Sequence, residues 1–124
     1  MPQEEQDKLV IFATHGSEDP DSATMPFVMG NAALAMDAEV VVVLNGVAVT
    51  LAKKGCYEHI FAAGQDPLKK LVDTFVELGG QIWVCTPCIR ERQITEDMLV
   101  DGATPVTAGK VVNACFTANA VLNF

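Results

Sequence analysis

Two cysteines spaced as Cys85-Thr86-Pro87-Cys88 follow the apolar run Gln81-Ile82-Trp83-Val84 and precede the charged stretch Arg90-Glu91-Arg92. This order puts two thiols where a strand hands over to a helix. Backbone N–H groups at a helix start favour negative charge, so a cysteine there is expected to ionise more readily. A thiolate so placed can attack sulfur, carry sulfur or bind a soft metal. With Thr86 as N-cap and Pro87 as the first helical residue, Cys88 falls in the first turn and Cys85 at the strand end. Residues three apart can also bridge, which makes a reversible Cys85–Cys88 disulfide geometrically reasonable.

The other candidate ligands and nucleophiles carry weaker signals. Cys115 sits in the apolar stretch Val111-Val112-Asn113-Ala114-Cys115-Phe116 and is expected to be core packing, as free cysteines often are. Cys56 follows Lys53-Lys54-Gly55, a helix end, and reads as incidental. A structural zinc site needs four ligands, and only one C-x-x-C pair is present, so no metal is expected. His15 draws interest from its place just after a strand, whereas His59, beside Tyr57 and Glu58, reads as structural.

The elements that must position these residues alternate between strand and helix. Lys8–Ala13 and Glu39–Leu44 are short continuous apolar runs of the kind covered on both faces, and Gln81–Cys85 is a third. Thr14 to Thr24 reads as a loop, and Pro26–Ala38 as a helix capped by Ser22 or Thr24. Asn45-Gly46 is a turn signal before a short helix over Val47–Lys54. Asp66 as N-cap and Pro67 at the first position open a helix whose Leu68, Leu71, Val72, Phe75, Val76 and Leu78 share one face. Pro87–Gln93 and Thr95–Val100 read as short helices, Thr104–Thr107 as a fourth strand and Gly109–Leu122 as the last helix.

Such alternation implies a single α/β domain with a mainly parallel sheet and helices on both faces. Ligands in these folds bind beyond the carboxyl ends of the strands. His15-Gly16, Asn45-Gly46, Cys85 to Cys88 with Thr86 between them, and Ala108-Gly109 all fall there, and together they form one candidate site. Whether they touch depends on the strand order.

The length of 124 residues suits one domain, expected over residues 8–124 behind a flexible tail of residues 1–7. A formal charge of −8 argues against general attraction to nucleic acid or an anionic membrane. Residues 1–8 lack the apolar core of a signal peptide and no segment approaches a membrane-spanning length, so the expected location is the cytoplasm, where thiols stay reduced.

The pair also resembles that of thioredoxin, but there it follows an early strand, whereas here two β/α units precede it. A different resemblance covers most of the chain. Glu18-Asp19-Pro20, Pro26-Phe27, Asn31 to Met36, Glu39-Val40, Lys53-Lys54-Gly55 and Gly79 to Cys85 are similar to the DsrE/DsrF-like family. The resemblance implies a three-layer α/β/α fold, assembly as a homo-oligomeric trimer or hexamer, and sulfur held on a cysteine at a central strand end, here Cys85. Cys88 departs from the single-cysteine pattern common among the sulfur-relay subunits.

Three functions stay open on this reading. The first is a sulfurtransferase-like carrier that takes sulfane sulfur or a thiosulfate-derived group onto Cys85, with Cys88 resolving it. Its partner would be a small sulfur carrier or rhodanese-like protein, and thiol exchange needs no organic cofactor. The second is a dithiol redox protein using both cysteines. The third is a non-catalytic oligomer that binds a small ligand or partner in the strand-end cleft.

Overall fold

The apolar runs that read as strands have too little polar alternation to face water, so each needs cover on both sides. In the computed structural model, which describes residues 6–124, that requirement is met by five parallel strands in the order β4-β3-β2-β1-β5. The strands are β1 (Lys8–Ala13), β2 (Glu39–Leu44), β3 (Gln81–Cys85), β4 (Ala103–Val106) and β5 (Ala120–Asn123). The helices are α1 (Pro20–Ala35), α2 (Leu68–Glu77), α3 (Thr86–Glu91) and α4 (Ala108–Thr117). Three 3-10 turns, Gly46–Ala52, Tyr57–His59 and Glu96–Met98, complete the connections.

Alternate side chains along each strand feed two cores. Ile11, Ala13, Val40, Val42, Leu44, Ile82 and Val84 pack with Phe27 of α1, with Leu68, Val72 and Phe75 of α2, and with Ile89 of α3. The opposite face presents Val10, Val41, Val43, Trp83 and Val106, against which Val111, Ala114 and Cys115 of α4 are packed. The chain therefore steps outward from β1 to β4 with its helices on one face, then returns across the other face through α4 to β5 beside β1. Adjacent strands β3 and β4 send their next helices to opposite faces. A crevice opens between such strands at their carboxyl ends, the topological switch point at which α/β sheets bind ligands.

Several elements depart from the sequence reading for identifiable reasons. Helix α1 starts at Pro20 rather than Pro26, because the Asp19 carboxylate caps it, accepting from Ser22 N at 3.2 Å and from Ser22 Oγ at 2.8 Å. Pro26 then lies inside the helix, and Asp37 turns the chain out of it with φ +66°. Asp66 does not cap α2. Pro67 holds the N-cap position, and the Asp66 carboxylate lies 3.5 Å from Lys70 Nζ. The helices expected over Val47–Lys54 and Thr95–Val100 are 3-10 turns.

The largest departure is at the C-terminus, where the last helix stops at Thr117 and the chain adds a fifth strand. Asn119 makes the switch by bracketing Lys8. Its Oδ1 accepts from Lys8 N at 2.8 Å and its own N–H donates to Lys8 O at 2.9 Å. Most of the expected N-terminal tail, residues 1–5, lies outside the described residues. Gln6 and Asp7 are tied down, by Gln6 Nε2 donating to Asp37 O and Glu39 N donating to Asp7 O. No described helix is long and apolar enough to cross a membrane.

Candidate functional site

The register of β3 sets Val84 opposite Pro105 and Cys85 opposite Val106, so the last residue of β3 meets the last residue of β4. Pro105 is tolerated because β4 is an edge strand. Cys85 itself, not Thr86, occupies the N-cap position of α3, which puts Thr86 at the first helical residue and Pro87 at the second. The Thr86 hydroxyl instead donates to Val106 O at 2.8 Å and staples the start of α3 to the end of β4. One turn into α3, Cys88 brings its Sγ to 2.6 Å from the Cys85 Sγ. Both thiols are free.

The Asn45-Gly46 turn reaches the pair. Gly46 N–H donates to Cys88 Sγ at 3.3 Å, from a residue at φ +59° that glycine adopts without strain. Electrostatics at Cys85 run against the sequence expectation. Burial pushes its thiol up, the neighbouring Cys88 thiol adds to this, and the Cys88 amide and the Arg92 guanidinium pull the other way without prevailing. Desolvation penalises the charged form more than a six-residue helix compensates.

Beside the pair, between α4 and the carboxyl ends of β1 to β4, lies a cavity of about 370 Å³. Its walls are Phe12, Asn45, Cys85, Pro87, Val106, Thr107, Ala108, Val111, Val112 and Cys115. No lining side chain is charged. Cys115 packs against the core on the α4 face, as its sequence context suggests, and its half-buried side chain also lines this wall. The four-residue spacing from Val111 sets both on one stripe of α4 but does not mark the cavity.

The family model described as "DsrE/DsrF-like family" matches residues 7–124. The chain belongs to that family. Among solved structures, ychN protein from E. coli superposes with a TM-score of 0.81 at 19% identity, covering 96% of this chain and 100% of that one. MTH1491 from Methanobacterium thermoautotrophicum, a protein of unknown function, gives 0.72 at 15% identity, with 96% and 100% covered. BT1422 from Bacteroides thetaiotaomicron, a conserved protein of unknown function, gives 0.67 at 15% identity, with 95% of each chain covered. At these identities the likeness establishes the fold. No curated protein matches the sequence.

In this DsrE/DsrF-like chain the remaining sequence candidates sit apart from the cavity. His15 Nδ1 lies 2.9 Å from Glu18 Oε2, and Gly16 N–H donates to the same carboxylate. Gly16 is pressed against the Gly46–Ala52 turn, where an added Cβ would come within 3.0 Å of Thr50 Oγ1 and 3.2 Å of Val47 O. The loop thus buttresses the turn that carries Gly46, but His15 does not line the cavity. Cys56 and His59 line a separate depression with Ser17, Val47, Thr50 and Ile60. Among the described residues no group of three or more His, Cys, Asp or Glu side chains could hold a metal ion.

Proposed function

We propose that this chain is a cytoplasmic sulfur carrier that holds sulfane sulfur on Cys85. Family membership points to a role related to sulfur relay. The observation that carries the finer reading is Cys85 at the end of β3, lining a cavity on one side and touching Cys88 on the other. Uptake is thiol exchange: the Cys85 proton leaves to solvent and the thiolate attacks the sulfane sulfur of a donor. One S–S bond forms as another breaks, and the donor's thiolate departs with the electron pair. Release takes one of two routes. An acceptor thiolate removes the terminal sulfur, or Cys88 attacks Cys85 Sγ, leaving a disulfide and expelling hydrogen sulfide, so that two thiols are oxidised and one sulfane sulfur is reduced.

The partner is a small sulfur carrier or rhodanese-like protein that supplies or takes the sulfur. Assembly as a homo-oligomer, trimer or hexamer, is supported by the exposed apolar side chains Phe116, Val112 and Val121 on α4 and β5. A second reading, a dithiol redox protein, is favoured by the 2.6 Å approach of the two Sγ atoms. Intact-mass measurement after exposure to a persulfide donor separates the two. A carrier gains a sulfur atom that maps to Cys85 and is absent from Cys85→Ser. A redox protein instead loses two hydrogens and gains no sulfur at any time point.

A further inference from the structure

The cavity beside Cys85 is walled chiefly by apolar side chains, Phe12, Val106, Val111 and Val112 among them, with Asn45 and Thr107 as its polar residues. An anionic donor such as thiosulfate or inorganic polysulfide would find only the uncapped first-turn N–H groups of α4 beside Thr107 and Ala108 to replace its hydration, with no cation in the wall, and a charge so incompletely compensated is costly. The cationic side chains Arg92 and Lys110 stand outside it. The Arg92 guanidinium donates to Cys88 O at 3.1 Å, and Lys110 Nζ lies 4.8 Å from the Trp83 ring centroid. Neither lines the cavity. The chain as a whole carries a formal charge of −8, which repels anions further.

Resting on the carrier reading, we infer that the donor entering this cavity is an uncharged, apolar sulfane compound, an organic trisulfide or an elemental sulfur ring, rather than thiosulfate or inorganic polysulfide. The volume of about 370 Å³ falls within the small-molecule range. A trisulfide offers nonpolar groups to Phe12, Val111 and Val112 and a sulfur chain to Cys85. The Cys85 thiolate attacks the central sulfur. A bond from Sγ to that sulfur forms, one S–S bond of the trisulfide breaks, and an alkyl thiolate leaves and takes a proton. With an elemental sulfur ring the same attack opens one ring S–S bond, and the electron pair rests on the far end of the attached chain. Cys115 sets a second sulfur nucleophile in the α4 wall of the same space.

The test compares rates of Cys85 modification by diallyl trisulfide, elemental sulfur, thiosulfate and inorganic polysulfide, each divided by the rate of the same donor with free N-acetylcysteine. The neutral donors are expected to show the larger normalised rates, and the two neutral arms tell which source is favoured. Thr107→Lys, at an exposed lining position outside the apolar patch of Phe116, Val112 and Val121, should narrow the gap or reverse it. Calorimetry on the reduced wild type with diallyl sulfide, which has no exchangeable S–S bond, reads the cavity without sulfur transfer. Saturable binding of diallyl sulfide and none of thiosulfate supports the inference. Normalised rates that favour thiosulfate or polysulfide, or thiosulfate binding that diallyl sulfide does not match, overturn it while leaving the carrier reading standing. Binding of diallyl sulfide without modification of Cys85 by any donor sinks the carrier reading and keeps the cavity's preference.

Discussion

The two faces of the sheet are built from equally apolar strand residues but covered very differently. On the face shared by α1, α2 and α3, Ile11, Val42, Leu44, Ile82 and Val84 are fully buried, and Phe27 and Phe75 meet edge to face with centroids 5.5 Å apart. Glycine allows the close approach there. A Cβ at Gly30 would stand 2.8 Å from the Phe75 ring, and one at Gly80 would run into the same ring. The other face is covered by α4 alone, which has no fully buried residue and leaves Phe116 82% exposed and Val112 48% exposed. One face is sealed, while the other has room for a ligand. The difference teaches that the sealed side fixes the position of β3, and the thinly covered side leaves the end of β3 open to a substrate.

This contrast can be broken by substitution. Phe75→Ala on the sealed face should cost about 3–5 kcal/mol, read from urea unfolding midpoints, through lost burial and the cavity left behind. Gly80→Ala should cost about 1–3 kcal/mol, because the ring and the new methyl group compete for one space. On the thin face Lys110→Ala should cost about 0.5–1 kcal/mol through loss of the cation above Trp83. Phe116→Ser should stay within about 0.5 kcal/mol for the isolated chain, since its side chain is mostly in water. A loss at Phe116 as large as that at Phe75 would mean the two faces are equally committed to stability.

The pH dependence of Cys85 sharpens the same point at smaller amplitude. Burial raises this thiol above its ordinary value, so the folded protein keeps a proton that the unfolded chain releases. Between the two values the folded state binds more protons, and stability must fall as pH rises. Below the ordinary thiol value there is no contribution. Cys85→Ser should remove that alkaline slope from the unfolding midpoint, and alkylation of Cys85 in the wild type should accelerate at higher pH than alkylation of a free thiol. His15→Ala should leave the rate of Cys85 loading unaltered, because its ring engages Glu18 outside the cavity.

Much of this arrangement was legible in the residues. The unbroken apolar runs of β1, β2 and β3 marked a sheet covered on both faces, and the Cys85 to Cys88 spacing marked the handover from strand to helix. The place of Cys115 in the cavity wall and the strand β5 were not legible. A cysteine four residues after Val111 looks the same whether its stripe faces a core or a cavity. Ala120-Val121-Leu122 becomes a strand only because β1 leaves an edge open and Asn119 brackets Lys8. The raised thiol of Cys85 is hidden for a related reason: sequence gives the helix start but not the desolvation around it. Long-range packing decides these features, and local pattern carries little of it.

In the proposed carrier Cys85 holds the sulfur and Cys88 acts on it. Time-resolved intact mass after a pulse of persulfide donor, with wild type beside Cys85→Ser and Cys88→Ser, tests it most directly. The wild type should form a sulfur adduct on Cys85 that decays to a Cys85–Cys88 disulfide with release of hydrogen sulfide. The adduct should persist in Cys88→Ser and never form in Cys85→Ser. An adduct that forms equally well in Cys85→Ser, carried on Cys88 or Cys115, would contradict it.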